Sequence, residues 1–124
     1  MKICITSEGP SLDSRVDPRF GRCRYFIIAD TDTSEFKALE NRHAEASGGA
    51  GIQAGQLIAS SGAKAVMTGN VGPNAFQTLQ AAGIDIFTGI SGTVRDALKR
   101  YREESLTRTQ APTAASKAGL QKKA

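Results

Sequence analysis

The chain has 124 residues, 40% of them hydrophobic and 23% charged, with a formal net charge of +4. That length gives one domain with a core of its own. The absence of any run of 18 apolar residues gives no expectation of a membrane-spanning helix. Two cysteines, Cys4 and Cys23, are too few and too far apart for a disulfide scaffold or a Cys-x-x-Cys site.

The charge is unevenly placed. Residues 1–98 hold nine Lys and Arg against ten Asp and Glu, whereas residues 99–124 hold seven against two. The basic character therefore belongs to the C-terminal end. This argues against a nucleic-acid-binding face spread over the domain, and neither nucleic acid nor membrane is expected as a partner.

In chain order, residues 2–6 alternate around Ile3 and Ile5 and read as a first strand. Its apolar part is too short for a signal peptide, so a cytoplasmic location is expected. Cys4, inside this strand, reads as a small core residue. Residues 7–22 carry the turn signals Gly9-Pro10, Asp13-Ser14 and Asp17-Pro18. Loops of this length are often functional. It runs into Arg19-Phe20-Gly21-Arg22-Cys23-Arg24, three arginines with an aromatic and a thiol. This is either an anion grip or a solvated basic turn with Phe20 tucked beneath it.

Tyr25–Ala29 is apolar on both faces and reads as a central strand, and Glu35–Asn41 as a strand nearer an edge. The first three strands thus form an antiparallel meander. Arg42–Gly49 is a second irregular segment holding the only histidine, His43. A loop histidine is either simply solvated or available for metal ligation or proton transfer.

A helix is predicted from Ala50 to about Ser61, stopped by Gly62. Gly49-x-Gly51-x-x-Ala54 formally matches a dinucleotide fingerprint. No strand leads directly into it, however, and Gly69 and Asn70 stand where an acidic residue is wanted. No Gly-Lys-Ser/Thr occurs, which excludes a P-loop.

Ala65–Thr68 is a short buried strand. It leads through Gly69-Asn70-Val71-Gly72 into a helix opened by Pro73-Asn74. Gly69 and Gly72 let the backbone turn, and Asn70 and Asn74 add amides near the helix start. The turn either binds an anion or is only a well-made connection. The helix stops at Gly83, Ile84–Phe87 is a fifth strand, and a last helix follows with Thr93 and Asp96 as a capping box. Val94, Ala97, Leu98 and Tyr101 form its buried stripe. From about Ser105 the chain has too few large apolar residues to offset ordering, so residues 105–124 are expected to be a disordered basic tail.

The order β-β-β-α-β-α-β-α predicts an α/β domain over residues 1–104, a mixed five-stranded sheet with helices packed on it. The turns at 69–74 and 88–92 fall at the strand ends where open α/β sheets bind ligands. If the Arg19–Arg24 loop and the Gly48–Gly51 turn reach that edge, the site suits a bulky, dispersed anion.

Three ordered blocks carry a resemblance: Arg19-Phe20-Gly21-Arg22-Cys23, Gly48-Gly49-Ala50-Gly51-Ile52-Gln53 and Thr68-Gly69-Asn70-Val71-Gly72-Pro73-Asn74-Ala75. Over roughly residues 1–102 the chain resembles the dinitrogenase iron-molybdenum cofactor biosynthesis family, the NifX/NifB-like small domains. The resemblance implies an RNase H-like fold. It also implies binding of an iron-sulfur or molybdenum-containing metal-sulfide cluster for delivery or storage, with protein partners in cofactor assembly. The part after Glu104 lies outside it. No Cys-x3-Cys-x2-Cys radical motif is present, so the chain is not the cofactor-building enzyme itself.

A preassembled metal-sulfide cluster is anionic and brings its own sulfur, so it does not need four protein thiolates. Arg19, Arg22 and Arg24 would neutralise charge. Phe20, Gly21, Gly48, Gly49, Gly51, Gln53, Gly69, Asn70, Gly72 and Asn74 complete the expected binding set, with Cys23 or His43 as a metal ligand. The rival readings are an anion-sensing or protein-interaction domain without a cluster and, less favoured, a metal nuclease or hydrolase. A nuclease needs carboxylates clustered on the sheet, and the first strand has none.

Overall fold

The computed structural model describes residues 1–42, 44, 49–103 and 106–113. Its elements are β1 (Lys2–Ser7), β2 (Tyr25–Asp30), β3 (Phe36–Glu40), α1 (Ala50–Ser60), β4 (Ala65–Met67), α2 (Pro73–Ala81), β5 (Asp85–Phe87) and α3 (Val94–Arg102). This is the expected order. The strands form one mixed sheet in the order β3-β2-β1-β4-β5. The tight turn after Asp30 leaves β2 and β3 antiparallel, while the crossover through α2 sets β4 and β5 parallel.

The period-2 pleat divides the core into two layers. Ile3, Ile5, Ile27, Ala29, Ala65 and Met67 face α3, whose Val94, Ala97 and Leu98 are buried against them. Cys4, Phe26, Ile28, Val66 and Ile86 face the other way, onto Ala54 and Ile58 of α1 and Phe76 and Leu79 of α2. Burial on both faces explains why β2 and β4 are apolar without alternation.

The helix ends follow the sequence. Pro73 opens α2 in the position where a missing N–H is harmless. Gly62 and Gly83 take left-handed φ values of 86° and 76° after α1 and α2. Thr93 and Asp96 form the capping box: Asp96 N–H donates to Thr93 Oγ1 and Thr93 N–H to the Asp96 carboxylate, both at 3.1 Å.

Residues 106–113 correct the expectation of a disordered tail for the part that is described. Leu106 packs on the α3-side core. Arg108 pairs with Asp85 at 3.2 Å. Thr109 N–H donates to the Ile86 carbonyl at 2.6 Å, and Thr109 Oγ1 accepts from Thr88 N–H at 3.0 Å. Thr113 N–H donates to the Val71 carbonyl, and its Oγ1 accepts from Val71 N–H, both at 2.9 Å. The segment is thus a strap along the free side of β5. Backbone groups and threonine hydroxyls hold it, so a reading based on apolar content alone does not find it. No described helix is long and apolar enough to cross a membrane.

Candidate anion-binding site

The loop from β1 to β2 is pinned along its whole course. Its first half lies over the start of α3: Val16 N–H donates to the Gly92 carbonyl at 2.9 Å, and Ser14 and Leu12 carbonyls accept from Val94 and Arg95. It then crosses the end of β1, where Asp17 N–H donates to the Thr6 carbonyl and Thr6 Oγ1 donates to the Asp17 carbonyl. Next it runs beside the turn after β4. Asn70 N–H donates to the Pro18 carbonyl at 2.8 Å, and Phe20 N–H to the Asn70 carbonyl at 3.2 Å. Phe20 is buried beneath, its ring 5.7 Å from that of Phe26.

This course gives the turn at 69–74 a structural role at Asn70 and Val71. Its backbone is a docking rail for the arginine loop. Asn70 gives both backbone groups to that loop, and Val71 gives both of its own to Thr113. Gly69 is required by a close approach: a Cβ there would stand 2.6 Å from Pro18 Cα and 2.8 Å from its carbonyl oxygen. The block around Gly51 joins the same contact. A Cβ on Gly21, whose φ is +99°, would meet Gly51 Cα at 3.1 Å, and one on Gly51 would meet Ala75 Cβ at 3.3 Å. The three blocks singled out in the sequence therefore converge, and Gly21, Gly51 and Gly69 serve close packing where they meet.

Above this junction lies an open basin of about 640 Å³ lined by Arg19, Arg22, Arg24, Tyr25, Glu40, Asn41, Arg42 and Ala44. All four guanidinium-bearing residues are exposed. Arg19 Nε donates to the buried Asp17 carboxylate at 3.3 Å, and Arg22 Nη1 to the Ala44 carbonyl at 2.9 Å. Arg24 and Arg42 have no ion-pair partner among the described residues. The cations outnumber the single carboxylate, Glu40, so the basin attracts anions.

The expected site set divides accordingly. Arg19, Arg22 and Arg24 line the basin, and Phe20 and Gly21 support it from below. Gly49, Gly51, Gln53, Gly69, Asn70, Gly72 and Asn74 are absent from its lining. Gly49 stands exposed before α1 with a φ of 76°. His43 and Gly48 lie outside the described residues. Tyr25, Glu40, Asn41 and Arg42 were not singled out in the sequence. The strand register was the available signal: pairing Tyr25 with Glu40 brings Arg24 beside Asn41, whose N–H donates to the Arg24 carbonyl at 2.9 Å.

Cys23 does not fit its expected role as a metal ligand. It is fully buried in the core on the α1/α2 side with Cys4. Burial first, then the negative charge of Asp17, pushes its thiol up to about 12. It is absent from the lining of the arginine basin, so it offers no sulfur to a cluster held there. Cys4 is raised well above its ordinary value by burial and then by Cys23. Among the described residues no three His, Cys, Asp or Glu side chains gather as a metal site.

The buried thiols make a pH prediction. Because both folded-state values lie above the ordinary value of 9.0, the native state keeps protons that the unfolded chain releases. Stability is therefore whole below pH about 9 and falls toward pH 12, by up to about 1.4 kcal/mol per pH unit for each thiol. Urea midpoints measured from pH 8 to 11 are expected to show this slope, and Cys23→Ala to flatten it. Neither thiol is expected to react with a thiol reagent at pH 8 until the protein unfolds.

Residues 1–104 match the family described as Dinitrogenase iron-molybdenum cofactor. The chain belongs to that family. Among solved structures, this family member is similar to the apo form of the orange protein from Desulfovibrio gigas. The two are 43% identical with a TM-score of 0.88, over 90% of this chain and 95% of that one. It is also similar to a putative NifB protein from Thermotoga, at 36% identity and a TM-score of 0.77, over 91% and 98% of the two chains. An uncharacterized protein of Methanocaldococcus jannaschii is 30% identical over 109 residues, 86% of this chain and 89% of that protein.

Proposed function

We propose that this protein holds an anionic metal-sulfide cluster, iron-sulfur or molybdenum-containing, as cargo in a carrier, storage or assembly step of cofactor biosynthesis, and that it is not an enzyme. The observation that carries this reading is the basin with Arg19, Arg22, Arg24 and Arg42 at its wall. Family membership supports the cofactor class.

The donor set fits such cargo in one respect and limits it in another. Guanidiniums bond anions through several N–H groups at once, and their planar forks suit a dispersed charge better than ammonium groups do. No cysteine lines the basin, and among the described residues no three His, Cys, Asp or Glu gather, so the described residues offer electrostatic holding rather than a thiolate ligand set. A cluster that supplies its own sulfide needs no more than that. His43 remains the candidate for a single metal bond. Proteins that donate and accept the cluster are the implied partners, in the cytoplasm.

The test is anaerobic purification, then exposure to tetrathiomolybdate or a reconstituted iron-sulfur cluster, with metal and sulfide analysis and a visible spectrum. Stoichiometric uptake with charge-transfer bands is expected. A protein that takes up no cluster stoichiometrically and binds phosphate as well as it binds thiomolybdate would instead be an anion-sensing domain.

A further inference from the structure

Among the basin residues Asn41 stands apart, since it is buried, 6% exposed, while the arginines project outward. Its side-chain amide has two N–H donors, and both are directed at one short stretch of the loop. Asn41 Nδ2 donates to the Gly21 carbonyl and to the Cys23 carbonyl, each at 2.9 Å. Its backbone N–H donates to the Arg24 carbonyl at 2.9 Å. One residue therefore binds the carbonyls of Gly21, Cys23 and Arg24, on either side of Arg22 and at Arg24 itself.

We propose that Asn41 is a positioning residue for the anion site: its amide holds the Arg22–Arg24 stretch against the end of β3 and thereby sets how tightly and selectively the basin takes a metal-sulfide anion. This rests on the proposed cargo. The physical need is plain. Arg19, Arg22, Arg24 and Arg42 share one basin, and like charges there repel one another until an anion arrives. A loop left to itself relaxes by moving those charges apart, and drawing them together again weakens binding. Phe20, buried on Phe26, anchors the loop before Gly21, and β2 anchors it after Arg24. Between these anchors, Gly21 is in the left-handed region and is a natural pivot. The amide of Asn41 bridges that interval. The same residue places its neighbours, because Glu40 and Arg42 both line the basin.

Asn41→Ala removes both amide donors and adds no charge, while Asn41→Ser keeps one donor of the right kind. The experiment titrates tetrathiomolybdate into the full-length wild type and both variants at several salt concentrations, with sulfate as competitor. It also records amide hydrogen exchange at Arg22 and Arg24 without ligand. Asn41→Ala is expected to bind at least tenfold more weakly, with a shallower salt dependence and a smaller preference over sulfate. Asn41→Ser is expected between the two, and exchange at Arg22 and Arg24 is expected to quicken at least tenfold in Asn41→Ala. Should Asn41→Ala fail to fold, Asn41→Ser is expected to lose at least threefold in affinity, with faster exchange. A merely structural asparagine would lower the melting temperature and leave affinity, salt slope and selectivity at wild-type values in whichever variant folds. That result overturns the proposal. If the wild type itself takes no thiomolybdate, the cargo reading fails separately; sulfate binding then tests the positioning role, which weaker binding by Asn41→Ala supports and wild-type affinity overturns.

Discussion

Replacing Arg24 and Arg42 together by glutamine is expected to weaken tetrathiomolybdate binding about a hundredfold or more while leaving the melting temperature nearly unchanged. Both residues are exposed, both line the basin, and neither has an ion-pair partner among the described residues. No hydrogen bond or ion pair to another described residue ties their side chains to the fold, and surface substitutions away from structural features usually stay within about 0.5 kcal/mol. Binding is different. A hydrogen bond to a charged partner contributes about 1.5–3 kcal/mol, so losing two amounts to about 3–6 kcal/mol. Equilibrium titration measures the first effect and thermal denaturation the second. Added salt is expected to weaken the wild type more than the double variant, since exposed charges are screened within about 8–10 Å at physiological ionic strength. Equal affinity in wild type and variant would remove the basin from the function.

Gly69→Ala is expected to destabilise the protein by about 1–3 kcal/mol, the range for a group forced into a filled space. The new methyl would meet Pro18 Cα at 2.6 Å and Pro18 O at 2.8 Å. These are backbone atoms and cannot swing away. Relief requires the arginine loop to lift from the turn after β4, which breaks the bonds from Asn70 N–H to Pro18 and from Phe20 N–H to Asn70. The substitution therefore acts on the basin from beneath, without touching any lining residue. Chemical denaturation gives the stability change, and thiomolybdate titration below the melting range gives the accompanying loss of affinity. A variant as stable as the wild type would mean that loop and turn are not held together as described.

The elements of the fold were legible because each carries a local signal. The alternation around Ile3 and Ile5, two-sided apolar strands at Phe26–Ala29 and Ala65–Met67, stop glycines at Gly62 and Gly83, and the Thr93–Asp96 box all act within a few residues. The arginine loop was legible as a candidate for the same reason. What the sequence concealed depends on distant partners. The need for Gly69 lies in Pro18, and that for Gly21 in Gly51. The docking role of the turn after β4 depends on those partners. Cys23 looked chemically available because it sits between two arginines, yet strand-like alternation into β2 sends it into the core while Arg22 and Arg24 face out. Arg42 and Asn41 join the site only through the β2–β3 register. The strap at 106–113 was invisible to composition because hydroxyls and backbone groups hold it.

That strap has a consequence for assembly. A parallel sheet edge with free N–H and C=O groups is a template for another chain. Here β5 is screened by Arg108 and Thr109, whereas β3 at the opposite side has no neighbouring strand among the described residues. The sheet is therefore one-sided in its capacity to grow. Two copies joined along β3 would present only their sealed β5 borders to the solvent. Pairing would stop at two, with no continuing path to a fibre.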